Sequence, residues 1–141
     1  MTSETPDDTA MRALAERLLA QTRALDLEGM RALFSPSVVF WSNVGQVESP
    51  LEERMTFMAL EKEVFEELRI DDVRIEVFAG GYVQQCVFAG SLRGGVEVRI
   101  PTCLVVRASD GLVTSFEEYV SLDQIQPVVD AIMALSRPAA P

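Results

Sequence analysis

Along the chain the apolar positions change period, with helical spacing early and strand-like runs later. Met11, Leu14, Ala15, Leu18, Leu19, Thr22 and Leu25 recur three and four residues apart, which predicts a helix with one buried face, capped by Asp8 or Thr9. Asp26 is placed to cap a second, short helix, LEGMRALF, whose Leu27, Met30, Leu33 and Phe34 continue the stripe. A Ser-Pro break follows, and residues 37–44, SVVFWSNV, are β-branched and aromatic enough to predict a strand. Ser49-Pro50-Leu51-Glu52 has the form of a capping box with proline at the first helical position, so a third helix is expected to run to about Leu68. Its apolar face is wide: Leu51, Met55, Met58 and Phe65 form one stripe, and Phe57, Leu60, Val64 and Leu68 extend it. Such a face suits core packing, and also a helix laid over a curved sheet with a ligand beneath.

From there the period changes to two. Residues 69–79, 82–92 and 96–107 read as strands divided by Gly80-Gly81 and Gly94-Gly95, and a fourth strand, 112–120, follows the Ser109-Asp110-Gly111 turn. Ser121-Leu122-Asp123-Gln124 resembles a second capping box, opening a last helix expected to restart at Pro127 and end near Ser136. Helices ahead of consecutive hairpins mean α+β, with one antiparallel sheet curled around the helices. A single domain is expected over residues 9–136, with residues 1–8 and 137–141 as flexible tails.

Composition narrows the chemistry. The chain has 141 residues, a formal net charge of −10 and no basic run, so the footprint needed to hold a phosphate backbone is missing and nucleic acid is excluded as a partner. No apolar stretch approaches a membrane span and the first residues lack a signal-peptide pattern, so a cytoplasmic protein is expected. Cys86 and Cys103 lie in strand-like segments and are expected as free thiols. The absence of histidine removes the commonest general base, and with no Cys-x-x-Cys present no metal or cofactor is implied.

Carboxylates remain as the candidate chemistry. In LVTSFEEYV, alternation puts Leu112, Thr114, Phe116, Glu118 and Val120 on one face and Val113, Ser115, Glu117 and Tyr119 on the other. Glu118 thus falls between two apolar neighbours, where burial would favour its protonated form, while Glu117 would face outward. A bulge would exchange the two.

The stretches ALDLEGMRALFSPSVVFWSNVG (24–45) and DGLVTSFEEYVSLDQI (110–125) resemble the opening helix-turn-strand and the closing strand and helix of the SnoaL-like and ketosteroid-isomerase-like group of the nuclear transport factor 2-like superfamily. The resemblance implies a cone: a strongly bent antiparallel sheet wrapped around N-terminal helices, with a C-terminal helix and an enclosed apolar pocket. Limonene epoxide hydrolases of this group carry a catalytic aspartate two residues after a Trp and just before a Tyr, and Phe116-Glu117-Glu118-Tyr119 matches that pattern with Glu118 in the acid's place. Their Tyr and Asn, two apart on the first strand, correspond to Trp41 and Asn43. Three features of the group are missing. YVQQCVF has no Arg-x-Asp for the hydrolases' relay, FWSNVG has no carboxylate for the isomerases' base, and no histidine is present for the cyclases.

The residues and the resemblance together imply an acid/base enzyme, isomerase-like or polyketide-cyclase-like, acting on a hydrophobic small molecule. Glu118 would be the catalytic acid and Asn43 would orient the substrate oxygen; Trp41, Phe116, Tyr82, Gln84, Met58 and Phe88 would contact the ligand. With one carboxyl in view, isomerisation or cyclisation suits the site better than hydrolysis. The alternatives are a ligand-binding or accessory protein of the same fold, an epoxide-hydrolase-like enzyme with a non-standard site, and an interaction module whose cavity is filled. Residue by residue, Glu118 could instead pair with Arg99 or Arg107, Asn43 could end its strand, Trp41 could pack in a core or interface, and Gln84 could be a buried core amide. Arg99 is expected on the outer face with Glu97 or Glu117. A homodimer through the outer face of the sheet is expected throughout.

Overall fold

A computed structural model describes residues 5–135, arranged as an α+β fold. The elements are α1 (Pro6–Arg23), α2 (Leu27–Arg31), β1 (Phe34–Ser42), β2 (Glu48–Pro50), α3 (Leu51–Val64), β3 (Phe65–Phe78), β4 (Gly81–Leu92), β5 (Glu97–Ser109), β6 (Leu112–Val120) and α4 (Leu122–Leu135). Six strands form one curved, unclosed sheet in the order β2-β1-β6-β5-β4-β3. Every neighbouring pair is antiparallel except β1 and β6, which run parallel. The sheet is therefore mixed where hairpin logic alone gives an antiparallel one, because β1 and β6 are joined through most of the chain and not by a turn.

Several boundaries move for local reasons. Helix α1 begins at Pro6, three residues before the expected start, because Thr5 and Asp8 cap each other: Asp8 N–H donates to Thr5 Oγ1 and Thr5 N–H to Asp8 Oδ2, each at 3.1 Å. Asp26 caps α2 as expected, its side chain accepting from Gly29 N–H. The Ser49 box does not form. Ser49 lies in β2, a three-residue strand paired with β1, and α3 starts from Pro50 without a side-chain cap. Helix α3 ends at Val64 and the chain turns straight into β3 at Phe65, four residues before the expected strand. Helix α4 continues through Pro127 without a restart, since proline near a helix start interrupts few backbone bonds; its expected end at Ser136 lies outside the described residues.

The sheet bends where its register slips. β3 shifts against β4 between Phe65 and Glu67 and again between Asp71 and Arg74, and β5 shifts against β6 between Arg107 and Ala108. Gly90, opposite Leu68, holds φ at +146° beside the first slip, and a Cβ there would lie 2.0 Å from the Glu67 carbonyl oxygen. The β5–β6 turn has positive φ at both Asp110 and Gly111, the pairing that two-residue hairpins favour.

Helices cover the concave face and bury two large apolar clusters, with a smaller third of Leu19, Ile70 and Cys86. One gathers Leu14, Leu18, Phe34, Phe40, Met58, Tyr82 and Phe116; the other gathers Val64, Phe65, Ile100, Val120, Val128 and Ile132. Arg54 and Glu61 on α3, and Glu118 on β6, line the space where these clusters meet.

Candidate active site

Two chambers open under α3. The inner one, about 80 Å³, is bounded by Met58, Phe65, Tyr82, Gln84, Phe88 and Phe116 among others. The outer one, about 360 Å³, lies between β1, α3 and α4 and is bounded by Trp41, Val44, Phe57, Leu60, Val129 and neighbours. Six residues belong to both walls: Arg54, Glu61, Phe116, Glu118, Ile125 and Val128. In place of one enclosed apolar pocket, the space beneath α3 is divided into two chambers. The inner chamber has room for a few waters or a small head group, and only the outer one has the volume of an ordinary ligand site.

Glu118 does point inward and Glu117 outward. Alternation holds from Phe116 to Val120 but fails earlier, where Val113 and not Leu112 or Thr114 is buried, because the irregularity opposite Arg107 and Ala108 resets the phase. Glu117 accepts from Arg107 Nη1 at 3.1 Å and from the Tyr119 hydroxyl at 3.4 Å on the outer face. Glu118 is not the lone acid expected. Arg54 Nη2 donates to its Oε2 at 3.0 Å, and the same nitrogen lies 3.8 Å from Glu61 Oε1. A carboxylate, a guanidinium and a second carboxyl therefore stand in line across the wall between the chambers.

Helix geometry explains the arrangement. Leu51, Arg54, Met58, Glu61 and Phe65 are spaced three, four, three and four apart, so the cation and the acid share the stripe that faces the sheet. Arg54 is also sandwiched between rings, its guanidinium carbon 5.3 Å from the Phe57 centroid and 5.9 Å from that of Phe40. Two of the site's polar atoms are orphaned: Arg54 Nε and Glu61 Oε1 are buried with no hydrogen-bond partner among the described residues. Although Glu61 keeps 28% of its side chain accessible, the oxygen facing Arg54 is sealed. Burial pushes the Glu61 carboxyl up to about 7; Arg54 opposes the rise and Glu118 adds to it. Glu61, which sequence reasoning passed over, therefore holds its proton into the neutral range.

That shift has a consequence for stability. Glu61 binds its proton more tightly folded than unfolded, so between its ordinary 4.5 and about 7 the folded state carries the excess proton and stability falls as pH rises. We expect Glu61→Gln to remove a loss on the order of 1–3 kcal/mol between pH 4.5 and 7.5. Urea midpoints of both proteins at the two pH values check this; parallel pH curves would refute it.

The other expected residues divide. Phe116, Tyr82, Gln84, Met58 and Phe88 line the inner chamber with Glu118. Tyr82 is 1% exposed and burial pushes its phenol up, which makes it a wall and a poor acid. Gln84 donates to Cys86 Sγ at 3.6 Å, and burial likewise pushes that thiol up. Trp41 sits on the outer face, its ring 5.1 Å from that of Tyr119, and reaches only the rim of the outer chamber. Asn43 is the clearest correction. Its Nδ2 donates to the Val120 carbonyl and its Oδ1 accepts from Val120 N–H, both at 2.9 Å, so the amide locks the end of β1 to the end of β6 and lines neither chamber. It has no free group with which to orient a substrate. Arg99 pairs with Asp72 at 3.3 Å and with neither of the partners expected for it, because Asp72 lies at the mid-strand register shift of β3, two strands away across β4.

Arg54 and Glu61 were the residues missed. Their signal was available: two opposite charges at core positions of an otherwise apolar heptad stripe. Among the described residues no three His, Cys, Asp or Glu side chains gather as they would around a metal ion, and no helix is long and apolar enough to cross a membrane.

No family model matches the sequence, and no curated protein does. Solved structures do match. A protein from Jannaschia sp. described as a SnoaL-like polyketide cyclase is 21% identical, with 98% of this chain and 100% of that one covered at a TM-score of 0.74. An LEH-like epoxide hydrolase from M. tuberculosis is 19% identical over 95% of this chain and 100% of that one, at 0.71. A hypothetical protein with a ketosteroid isomerase-like fold from Catenulispora acidiphila, solved with trimethylamine, is 14% identical over 86% and 91%, at 0.70. Identities this low carry the fold and not the chemistry. The chain therefore shares its fold with these SnoaL-like, epoxide-hydrolase-like and ketosteroid-isomerase-like structures.

Proposed function

We propose that the protein is an acid/base enzyme that moves a proton on a hydrophobic small molecule, in the manner of an isomerase or a polyketide cyclase. The observation that carries this reading is Arg54 held between Glu118 and Glu61 in the wall shared by two apolar chambers. Glu118, ion-paired at 3.0 Å, serves as the anionic member, and Glu61, with its proton held near neutral pH, serves as donor and acceptor. Arg54 keeps the two in register and screens each from the other. Similar folds among polyketide cyclases and a ketosteroid-isomerase-like protein support the class without naming the substrate.

A second reading is favoured by one feature. Glu61 supplies the second carboxyl that a single-acid site lacks, so one acid could activate water while the other protonates the leaving oxygen, as hydrolytic opening of an epoxide requires. The non-catalytic binder remains the competing class.

The test is turnover by the purified protein of cyclic enones, poly-β-keto thioesters and terpene epoxides. Glu61→Gln and Glu118→Gln should each lower kcat at least about 10²-fold while substrate still binds. Full activity in both variants would overturn the enzyme reading, and binding without turnover across the panel would transfer the chain to the binders. The homodimer belongs to the same proposal: Val39 and Tyr119 are exposed on the outer face beside Trp41, an aromatic patch of the kind interfaces use. A sedimentation mass twice the chain's 15.6 kDa tests it.

A further inference from the structure

An open sheet has two edges, and this one ends them differently. At one edge β2 is only three residues long and finishes in Pro50. At the other, β3 runs for 14 residues with no strand beyond it among the described residues. A long bare edge invites pairing with another chain. Two of its carbonyls are already held from α1: Arg12 Nη1 donates to Ile75 O at 3.2 Å, and Arg23 Nη2 donates to Ile70 O at 2.7 Å. In a regular strand, residues five apart turn their carbonyls to opposite sides. Here the register shift between Asp71 and Arg74, with Asp72 at φ +54°, resets the alternation, and both carbonyls face the open side.

The stretch RIDDVRIE, residues 69–76, is charge-complementary to itself. Laid antiparallel against β3 of a second copy with Ile70 opposite Ile75, it sets Asp71 opposite Arg74 and Arg69 opposite Glu76, each pair forming twice about a two-fold axis. The apolar pair falls on the core side. The charged pairs fall on the outer side, where Arg69, Arg74 and Glu76 are exposed and Asp71 is half-buried. Sliding the register by two residues puts Asp71 opposite Glu76 in one direction and Arg69 opposite Arg74 in the other, so the neighbouring registers oppose like charges. In the favoured register Ile70 and Ile75 exchange both backbone hydrogen bonds, and they do so through the two carbonyls that Arg23 and Arg12 occupy.

We infer that the free edge of β3 is a docking strand for a second copy of this chain, and that Arg12 and Arg23 of α1 hold it closed by occupying the two carbonyls the pairing needs. Guanidinium groups and the second copy compete for the same acceptors, so the strength of association is set by how firmly α1 keeps its arginines on β3. The surface is separate from the patch of Val39, Trp41 and Tyr119, which lies on β1 and β6 toward the other edge of the sheet. It is also independent of the acid/base reading, since none of these residues lines either chamber beneath α3.

Analytical ultracentrifugation over a concentration series tests this. The double variant Arg12→Ala/Arg23→Ala should associate to twice the mass that the unaltered protein shows, with an association constant at least about tenfold higher. Removing two cations from a chain of net charge −10 adds repulsion, so a gain cannot come from net charge. If the double variant does not fold, Arg12→Ala or Arg23→Ala alone, each freeing one carbonyl, should give a smaller gain of the same kind. Adding Asp71→Arg to the freed edge should abolish the gain, because it sets arginine against Arg74 of the second copy. Adding Asp71→Arg together with Arg74→Asp should restore it, because the charges are exchanged across the pairing. An association constant unchanged by freeing the carbonyls would overturn the inference. So would a gain that survives Asp71→Arg, which marks exposed core or an unrelated occupant of the edge, or a gain that the exchanged pair does not bring back.

Discussion

Arg54→Met is expected to lower the free energy of unfolding by about 3–5 kcal/mol at pH 8. Methionine matches the length of the arginine stem and can still lie between Phe57 and Phe40, so little packing is lost. What is lost is the counter-charge. Glu118 has 17% of its side chain accessible and Glu61 28%, so both carboxyls would face each other across an apolar wall with no cation between them. The cost should fall at pH 5, where protons can replace the guanidinium, and it should fall again in the background of Glu118→Gln, which has less charge to strand. Urea denaturation of the four proteins of that cycle measures both. An Arg54→Met midpoint equal to wild type, or a cost unchanged by Glu118→Gln, would show that the bridge is a surface ornament.

Gly90→Ala should be nearly as damaging, at about 3–5 kcal/mol, for an unrelated reason. The new methyl would sit 2.0 Å from the Glu67 carbonyl oxygen and 2.8 Å from its carbon, both backbone atoms with no rotamer to yield, and a φ of +146° is itself strained for an L residue. The control is Gly94→Ala, at φ +100° with no atom within 4 Å of the added carbon, which should cost only the backbone strain of about 1–2 kcal/mol. Equal urea midpoints for the two variants would mean that the β3–β4 slip is not anchored at Gly90.

These two residues also show where sequence reading works and where it stops. Strand β6 was legible to the residue, and so were the hairpins at Gly80, Gly94 and Gly111 and the Asp26 cap, because period-two alternation, turn glycines and caps act within a few residues. The inward aim of Glu118 was legible for the same reason, and the phase slip ahead of Phe116 fell where it did not matter. Gly90 is a lone glycine inside a strand, and what makes it obligatory is a carbonyl on another strand. The parallel partnership of β1 and β6 leaves no local trace either, since it depends on how the helices pack beneath it. Asn43 looked like a pocket amide or a strand end; its real task is set by Val120, 77 residues away.

Arg54 and Glu61 stand in plain view on the third helix, yet the sequence analysis assigns them no role. A charge among apolar residues is ordinarily assigned to the solvated face, and on a helix with so broad an apolar side the boundary of that face is ambiguous. Counting three, four, three, four from Leu51 resolves the ambiguity and places both on the buried line with Met58 and Phe65. The desolvation argument applies with full force to Glu61, whose carboxyl burial pushes up to about 7.

The neighbourhood of the first long strand and the last bears on how the protein is made. During synthesis β1 emerges early with only the three-residue β2 to pair with, and its other edge is completed by β6, more than seventy residues later. The guanidinium of Arg54 likewise leaves the ribosome 64 residues ahead of Glu118. A nascent chain stopped before residue 112 therefore carries an open strand edge and an Arg54 without its Glu118 partner. Chains released early should be sticky and sensitive to protease, and the finished polypeptide should gain its protection late and all at once.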